Sequence, residues 1–183
     1  MSPRPQSTRA MSRSSDTASA DRNIAKRSAI ATAARPALLV LLAACTSPPP
    51  ATVVHAFRLL PGSDLRGGIQ RYVDEHGITA GFVGTTVGSL TDYTLRFADQ
   101  KDGSRGSGRF EILALVGTVS QHGSHLHLTL GDGDGHVLGG HLLDGCKVYT
   151  TAEVVLVEST RHLFTRAQDG STPWAELQVG YRR

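Results

Sequence analysis

From Gly77 onward the chain offers almost no helical period, and that feature limits its fold more than any other. Residues 78–90, 93–98, 109–120, 125–130, 136–143 and 147–159 are rich in β-branched and aromatic side chains or alternate apolar with polar, the mark of strands half-buried on a sheet. Thr91-Asp92 reads as a tight turn, residues 99–107 (DQKDGSRGS) as an exposed loop, and GDGDG at 131–135 as a hairpin connection. Before Gly77 there is one further strand pattern, residues 53–60, closed by Pro61-Gly62, and one helix pattern. Asp64 stands where an N-cap belongs, Leu65, Ile69, Tyr72, Val73 and His76 recur at helical spacing, and Gly77 occupies the left-handed C-terminal position. Gly67 and Gly68 weaken the first turns, so packing on a sheet has to supply most of this helix's stability. The expected fold is α+β: a mainly antiparallel sheet of six to seven strands with one packed helix. Residues 160–183, which hold the only Trp, Trp174, show no clear period and are read as a tail or a short extra strand.

At 183 residues and 39% hydrophobic content the chain suits one domain with an extension. Its charge is unevenly divided. Residues 1–44 carry seven Lys/Arg against two Asp, a balance of +5, whereas the rest carries twelve Lys/Arg against fourteen Asp/Glu, a balance of −2. An acidic domain lacks the basic face that neutralising several phosphates requires, which removes the simplest argument for nucleic-acid binding.

The leader has the order of a secretory signal: basic residues up to Arg35, an eight-residue apolar run from Ala37 to Ala44, then Cys45. The run is far shorter than the roughly 20 residues a spanning helix needs. Leu42-Ala43-Ala44-Cys45 resembles the lipobox of bacterial lipoproteins, in which the Cys is lipidated, and more than one acyl chain makes attachment persistent. The expected organisation is a signal peptide over residues 1–45, a Pro-rich tether over 46–52, the domain over 53–165 and a tail over 166–183. The alternative is a disordered leader on a cytoplasmic protein. If Cys45 is modified, Cys146 is left alone.

Several motifs recur in a recognisable order. His55-x-x-Arg58-Leu59-x-Pro61-Gly62-x-Asp64-Leu65 precedes the helix, Gly77-Ile78-x-Ala80-Gly81 follows it, and Val87-Gly88-Ser89-Leu90 comes next. Gly108-Arg109-Phe110-Glu111-Ile112-Leu113 and Asp134-Gly135-x-Val137-x-Gly139-Gly140-His141 complete the series. Together they resemble the PPC family (plants and prokaryotes conserved, also written PCC). The resemblance implies a sheet-and-helix domain that assembles as a homotrimer. It also implies that the segment 108–113 contacts protein partners, as it does in plant members that carry AT-hooks. Bacterial members are labelled DNA-binding by analogy; this chain has no Arg-Gly-Arg-Pro core to enter a minor groove, and fold likeness does not carry function. Half of the 108–113 motif is explained without any partner, since Phe110, Ile112 and Ala114 alternate as a core strand.

The chemistry concentrates in the histidines. In His125-Leu126-His127-Leu128-Thr129-Leu130 the leucines take one face of a strand and the two imidazoles the other. His141 joins them only if the hairpin loop is odd, for instance three or five residues with 127 facing 141; a two-residue loop sets 126 against 141 and sends the ring to the leucine side. The Gly-rich connection favours the odd case. Three neutral imidazoles with a fourth position open form a zinc-type site, and imidazole suits zinc ahead of other divalent ions. The PPC resemblance points the same way, since bacterial members with His-x-His and Gly-Gly-His look like metal binders. The competing reading has the rings hydrogen-bonding within the sheet or across a trimer interface. His122 and His55 are weaker ligand candidates, and His76 and His162 read as surface or helix-end residues. Glu153, on an apolar strand, is a candidate to orient a ligand from behind. Asp132 and Asp134 lack calcium-loop spacing and read as turn residues. No Ser-His-Asp motif, phosphate loop or dinucleotide fingerprint is present. Three functions are open at this level: a membrane-tethered trimeric metal-binding or sensing module, a cytoplasmic DNA-associated regulator, and a metal-dependent enzyme of unassigned substrate.

Overall fold

The computed structural model describes residues 50–182. Eight strands and one helix follow in the order β1 (Thr52–Leu59), α1 (Leu65–Glu75), β2 (Gly81–Arg96), β3 (Ser104–Ser120), β4 (Gly123–Gly131), β5 (Val137–Leu142), β6 (Lys147–Ser159), β7 (His162–Ala167) and β8 (Glu176–Tyr181). The first six strands form one antiparallel sheet in the order β1-β6-β2-β3-β4-β5. The fold is thus α+β, a mainly antiparallel sheet with a single helix. The far end of β2 also pairs with β5, Leu95 facing Leu142 and Arg96 facing His141, so β2, β3, β4 and β5 close into a ring. That closure brings Arg96 beside the end of the histidine hairpin.

α1 starts where its cap allows. Asp64 Oδ1 accepts from the Gly67 amide at 2.9 Å, and its other carboxylate oxygen accepts from the Gly145 amide at 2.6 Å. One side chain therefore satisfies a free helix amide and ties the helix to the turn between β5 and β6. The helix buries Leu65, Ile69 and Val73 against the sheet core. From the histidine strand, Leu126, Leu128 and Leu130 enter the same core with no more than 1% of their surface exposed. A fully buried leucine is worth about 2 kcal/mol over an exposed one, enough to lock the register that holds the imidazoles on the opposite face.

Four expectations need correction. The stretches 78–90 and 93–98 are one 16-residue strand, β2, with a bulge between Leu90 and Asp92 in place of a turn. The bulge absorbs the polar pair: Asp92 accepts from Thr91 Oγ1 and from Ser107 Oγ of the neighbouring strand, both at 2.6 Å. The loop predicted over 99–107 is shorter, because residues 104–107 already pair with β2; glycine and serine supply ladder hydrogen bonds as well as any residue. In β3 a second bulge between Ile112 and Ala114 breaks the alternation, so Ala114 is exposed and Leu115 is buried. Lastly, residues beyond 160 hold more than a tail or single strand: β7 and β8 pair as a hairpin. It is fastened by the Phe164 amide on Thr79 O at 2.9 Å and by Arg166 on Thr118 Oγ1 at 3.0 Å.

Candidate metal centre

The β4–β5 hairpin pairs Gly131 with Val137 and, further along, His127 directly with His141. The connection is residues 132–136, an odd loop, so 125, 127 and 141 share a face. Asp132 organises it, its carboxylate accepting from the Asp134 amide at 3.0 Å and the His136 amide at 2.8 Å. These bonds hold the Asp132 carboxyl below its ordinary pKa, the His136 amide contributing most. They also account for Asp132, Asp134 and His136 as a turn.

Nε2 of His125 and Nε2 of His127 are 3.2 Å apart. One ring nitrogen from each of the three histidines lies within 4.8 Å of the others. Two nitrogens bound to one tetrahedral zinc at about 2.05 Å stand about 3.3 Å apart, so the closest pair already has that spacing. Nδ1 of His141 is buried with no hydrogen-bond partner. A buried orphan of this kind is an expected signature where an ion or water belongs. The donor set fits a divalent cation that prefers imidazole.

Electrostatics favour neutral rings. Burial, and then the neighbouring His125 and Arg96, push His141 down to about 4. His125 is lowered by burial and then by Arg166 and His127, with Glu176 opposing. At neutral pH His125 and His141 therefore present lone pairs rather than imidazolium protons, as metal binding requires.

Gly117 and Gly140 permit this geometry. A Cβ on Gly117, whose φ is +140°, would lie 2.0 Å from the His125 carbonyl oxygen, and one on Gly140 would lie 2.8 Å from the Arg96 carbonyl oxygen. Only glycine lets β3 close on His125 and β5 close on Arg96.

The other candidates lie elsewhere. Glu153 stands exposed on β6, opposite Arg58 of β1 and Val87 of β2. Because β6 neighbours β1 and β2, not the hairpin, Glu153 does not orient the cluster, which corrects that expectation. Along Gly108–Leu113, Phe110 packs edge-on against Tyr93, Ile112 is buried, and Arg109 lies 3.9 Å over the Tyr149 ring. Glu111 and Leu113 face solvent. His122 sits exposed in the β3–β4 turn, and His55 pairs with Glu158 at 3.0 Å. Cys146 is a core residue, its thiol pushed up to about 11 by burial and facing the Thr94 backbone. Cys45 and its leader lie outside the described residues.

Sequence reasoning missed Arg96, Arg166, Trp174 and Glu176, which β2 and the C-terminal hairpin bring around the histidines. Position 96 carried a signal only through the sheet closure, and the other three lie in the stretch without a period.

The family model of the Plants and Prokaryotes Conserved (PCC) domain matches residues 47–160. The chain belongs to this family. The bifunctional protein GlmU of Synechococcus sp. (strain JA-3-3Ab) is 46% identical over 126 residues, which are 69% of this chain and 20% of that protein. The chain thus spans about a fifth of that relative's length. Among solved structures, a hypothetical protein of Salmonella enterica is 36% identical with a TM-score of 0.71, covering 72% of this chain and 96% of its own. A metal-containing protein of Archaeoglobus fulgidus is 28% identical with a TM-score of 0.60, covering 69% and 93%. A Bacteroides thetaiotaomicron protein with a provisional DNA-binding label is 25% identical with a TM-score of 0.62, covering 68% and 91%. In this PCC domain the match ends at 160, so the β7–β8 hairpin lies beyond it.

Proposed function

We propose that this PCC domain is a metal-binding module in which His125, His127 and His141 hold a divalent ion, zinc for preference, and leave a coordination position for an exchangeable ligand. The observation that carries the reading is three imidazoles with converging nitrogens and, at His141, a buried nitrogen lacking any partner. The metal-containing Archaeoglobus relative supports it. When bound, the ion would supply Lewis acidity at the open position; the protein's own residues hold it, exclude charge from the rings and shape the cleft above them. A sensing or regulatory role is preferred to catalysis: of the nearby carboxylates, Glu176 acts electrostatically on His125 and Asp99 sits on the cleft wall with Arg96 and Lys101. The DNA-associated reading draws on the label of the Bacteroides relative, against which stands the −2 balance after residue 44.

A homotrimer belongs to the same proposal. Phe82, Val87, Leu113 and Val116 on the adjacent strands β2 and β3 are each at least 50% exposed, more apolar surface than a solvated sheet usually leaves bare. A lipid anchor on Cys45 would hold the module at a membrane surface; incorporation of a palmitate analogue that persists in Cys45→Ser would remove that part.

Metal analysis of the purified protein beside His125→Ala/His127→Ala tests the central claim. The expected result is about one ion per chain in the wild type and almost none in the variant, with light scattering on the same samples giving a trimer mass. Equal metal content in both proteins would refute the site.

A further inference from the structure

A cleft of about 860 Å³ opens over the histidine face, with Arg96, Lys101 and Trp174 among its walls. Its size is that of pockets that take small organic molecules. Its charge runs against that of the domain. Arg96 and Lys101 face one carboxylate there, Asp99, whereas the chain after residue 44 balances at −2. Among the described residues Arg96 takes part in no ion pair. Its guanidinium lies 4.8 Å from the centre of the Trp174 ring. Stacking of this kind fixes the plane of the guanidinium fork while leaving its edge free for an oxyanion. An unpaired cation on a concave wall, next to a flat aromatic face that is 58% exposed, is a recognition device without its ligand.

We propose that this cleft binds a small carboxylate-bearing organic molecule, its carboxylate forked by Arg96 and its body lying along Trp174. Apart from any bound ion, two cations against Asp99 leave one surplus positive charge on the walls, enough to hold a carboxylate at Arg96. Arginine pairs with a planar carboxylate through two parallel hydrogen bonds. The proposal rests on the metal reading for the ligand's second contact, an oxygen at the open coordination position, but not for the Arg96 contact. The C-terminal hairpin thereby gains a job: the segment joining β7 to β8 carries Trp174 and completes the wall.

Trp174 is the chain's single tryptophan, so its emission reports on this cleft alone. The purified protein is titrated with benzoate, succinate and inorganic phosphate at constant ionic strength, with zinc content measured on the same samples. A carboxylate should give a saturable change in emission. Arg96→Gln should weaken it by about 10- to 100-fold, and Arg71→Gln, on the exposed side of α1, should leave it unchanged. If Arg96→Gln does not fold, Lys101→Gln replaces it, with a smaller loss of affinity expected. No saturable change with either carboxylate, a response to phosphate alone, or equal affinity in the cleft variant and the wild type overturns the proposal. Bound zinc without a carboxylate response would defeat this inference and spare the metal site; a carboxylate response without zinc would support the Arg96 contact and count against the metal.

Discussion

Two groups of histidines in this domain have opposite surroundings. At one end of the sheet His55 is held by Glu158 at 3.0 Å, with the Tyr72 hydroxyl 3.4 Å from its other nitrogen. His76 stacks on Tyr72 at 3.8 Å, and its Nδ1 lies 2.9 Å from the Tyr72 carbonyl oxygen. Every ring in that group has a carboxylate, a hydroxyl, a backbone group or an aromatic face to answer it. On the β4–β5 face, His125, His127 and His141 answer only one another, at centroid distances of 4.9 to 5.6 Å. Satisfied rings stabilise a fold, whereas rings that converge on a common point with an orphan nitrogen raise its free energy until something else binds.

The largest effect should come from setting the two groups against each other with zinc. Ligand that binds only the folded state adds about 2.7 kcal/mol when its free concentration is about 100 times Kd. For a domain of this size that lifts Tm by about 10 °C. Thermal unfolding with and without zinc should show that increment in the wild type and in His55→Ala, which starts from a lower Tm, and lose it in His125→Ala/His127→Ala. An increment that survives the loss of the hairpin pair, or disappears with His55, would dissolve the distinction between the groups.

How legible the distinction was depends on the range of the interactions involved. The strand His125 to Leu130 kept its alternation because no bulge interrupts it, and its three leucines have one core to enter. The face taken by His141 depended on loop parity, which glycines suggested and the 127–141 pairing fixes. Where bulges occur the local pattern misleads: Ala114 alternates with Ile112 in sequence yet faces solvent. Glu153 shows a different gap. Strand periodicity tells which residues share a face and nothing about which strands are neighbours, and β6 sits between β1 and β2. The cleft wall was the least legible part, because Trp174 reaches it through long-range packing of a hairpin with no periodic signal of its own.

The smaller test concerns the satisfied group. Glu158 is 9% exposed, meets His55 at 3.0 Å, and has Arg182 at 3.8 Å. Glu158→Gln keeps the shape and one hydrogen-bonding oxygen while removing the charge that both neighbours face, so the loss should be about 1 kcal/mol. Denaturant melts should detect that loss as a lower midpoint at unchanged slope. Metal content should stay at its wild-type value, because Glu158 pairs through β6 with β1 and with the start of β2, away from the hairpin that carries the cluster. Destabilisation with full metal content would confirm that the two groups are energetically independent. A fall in metal content would mean that the His55 end of the sheet helps to set the geometry of the other, and that the orphan nitrogen of His141 is only part of what the site needs.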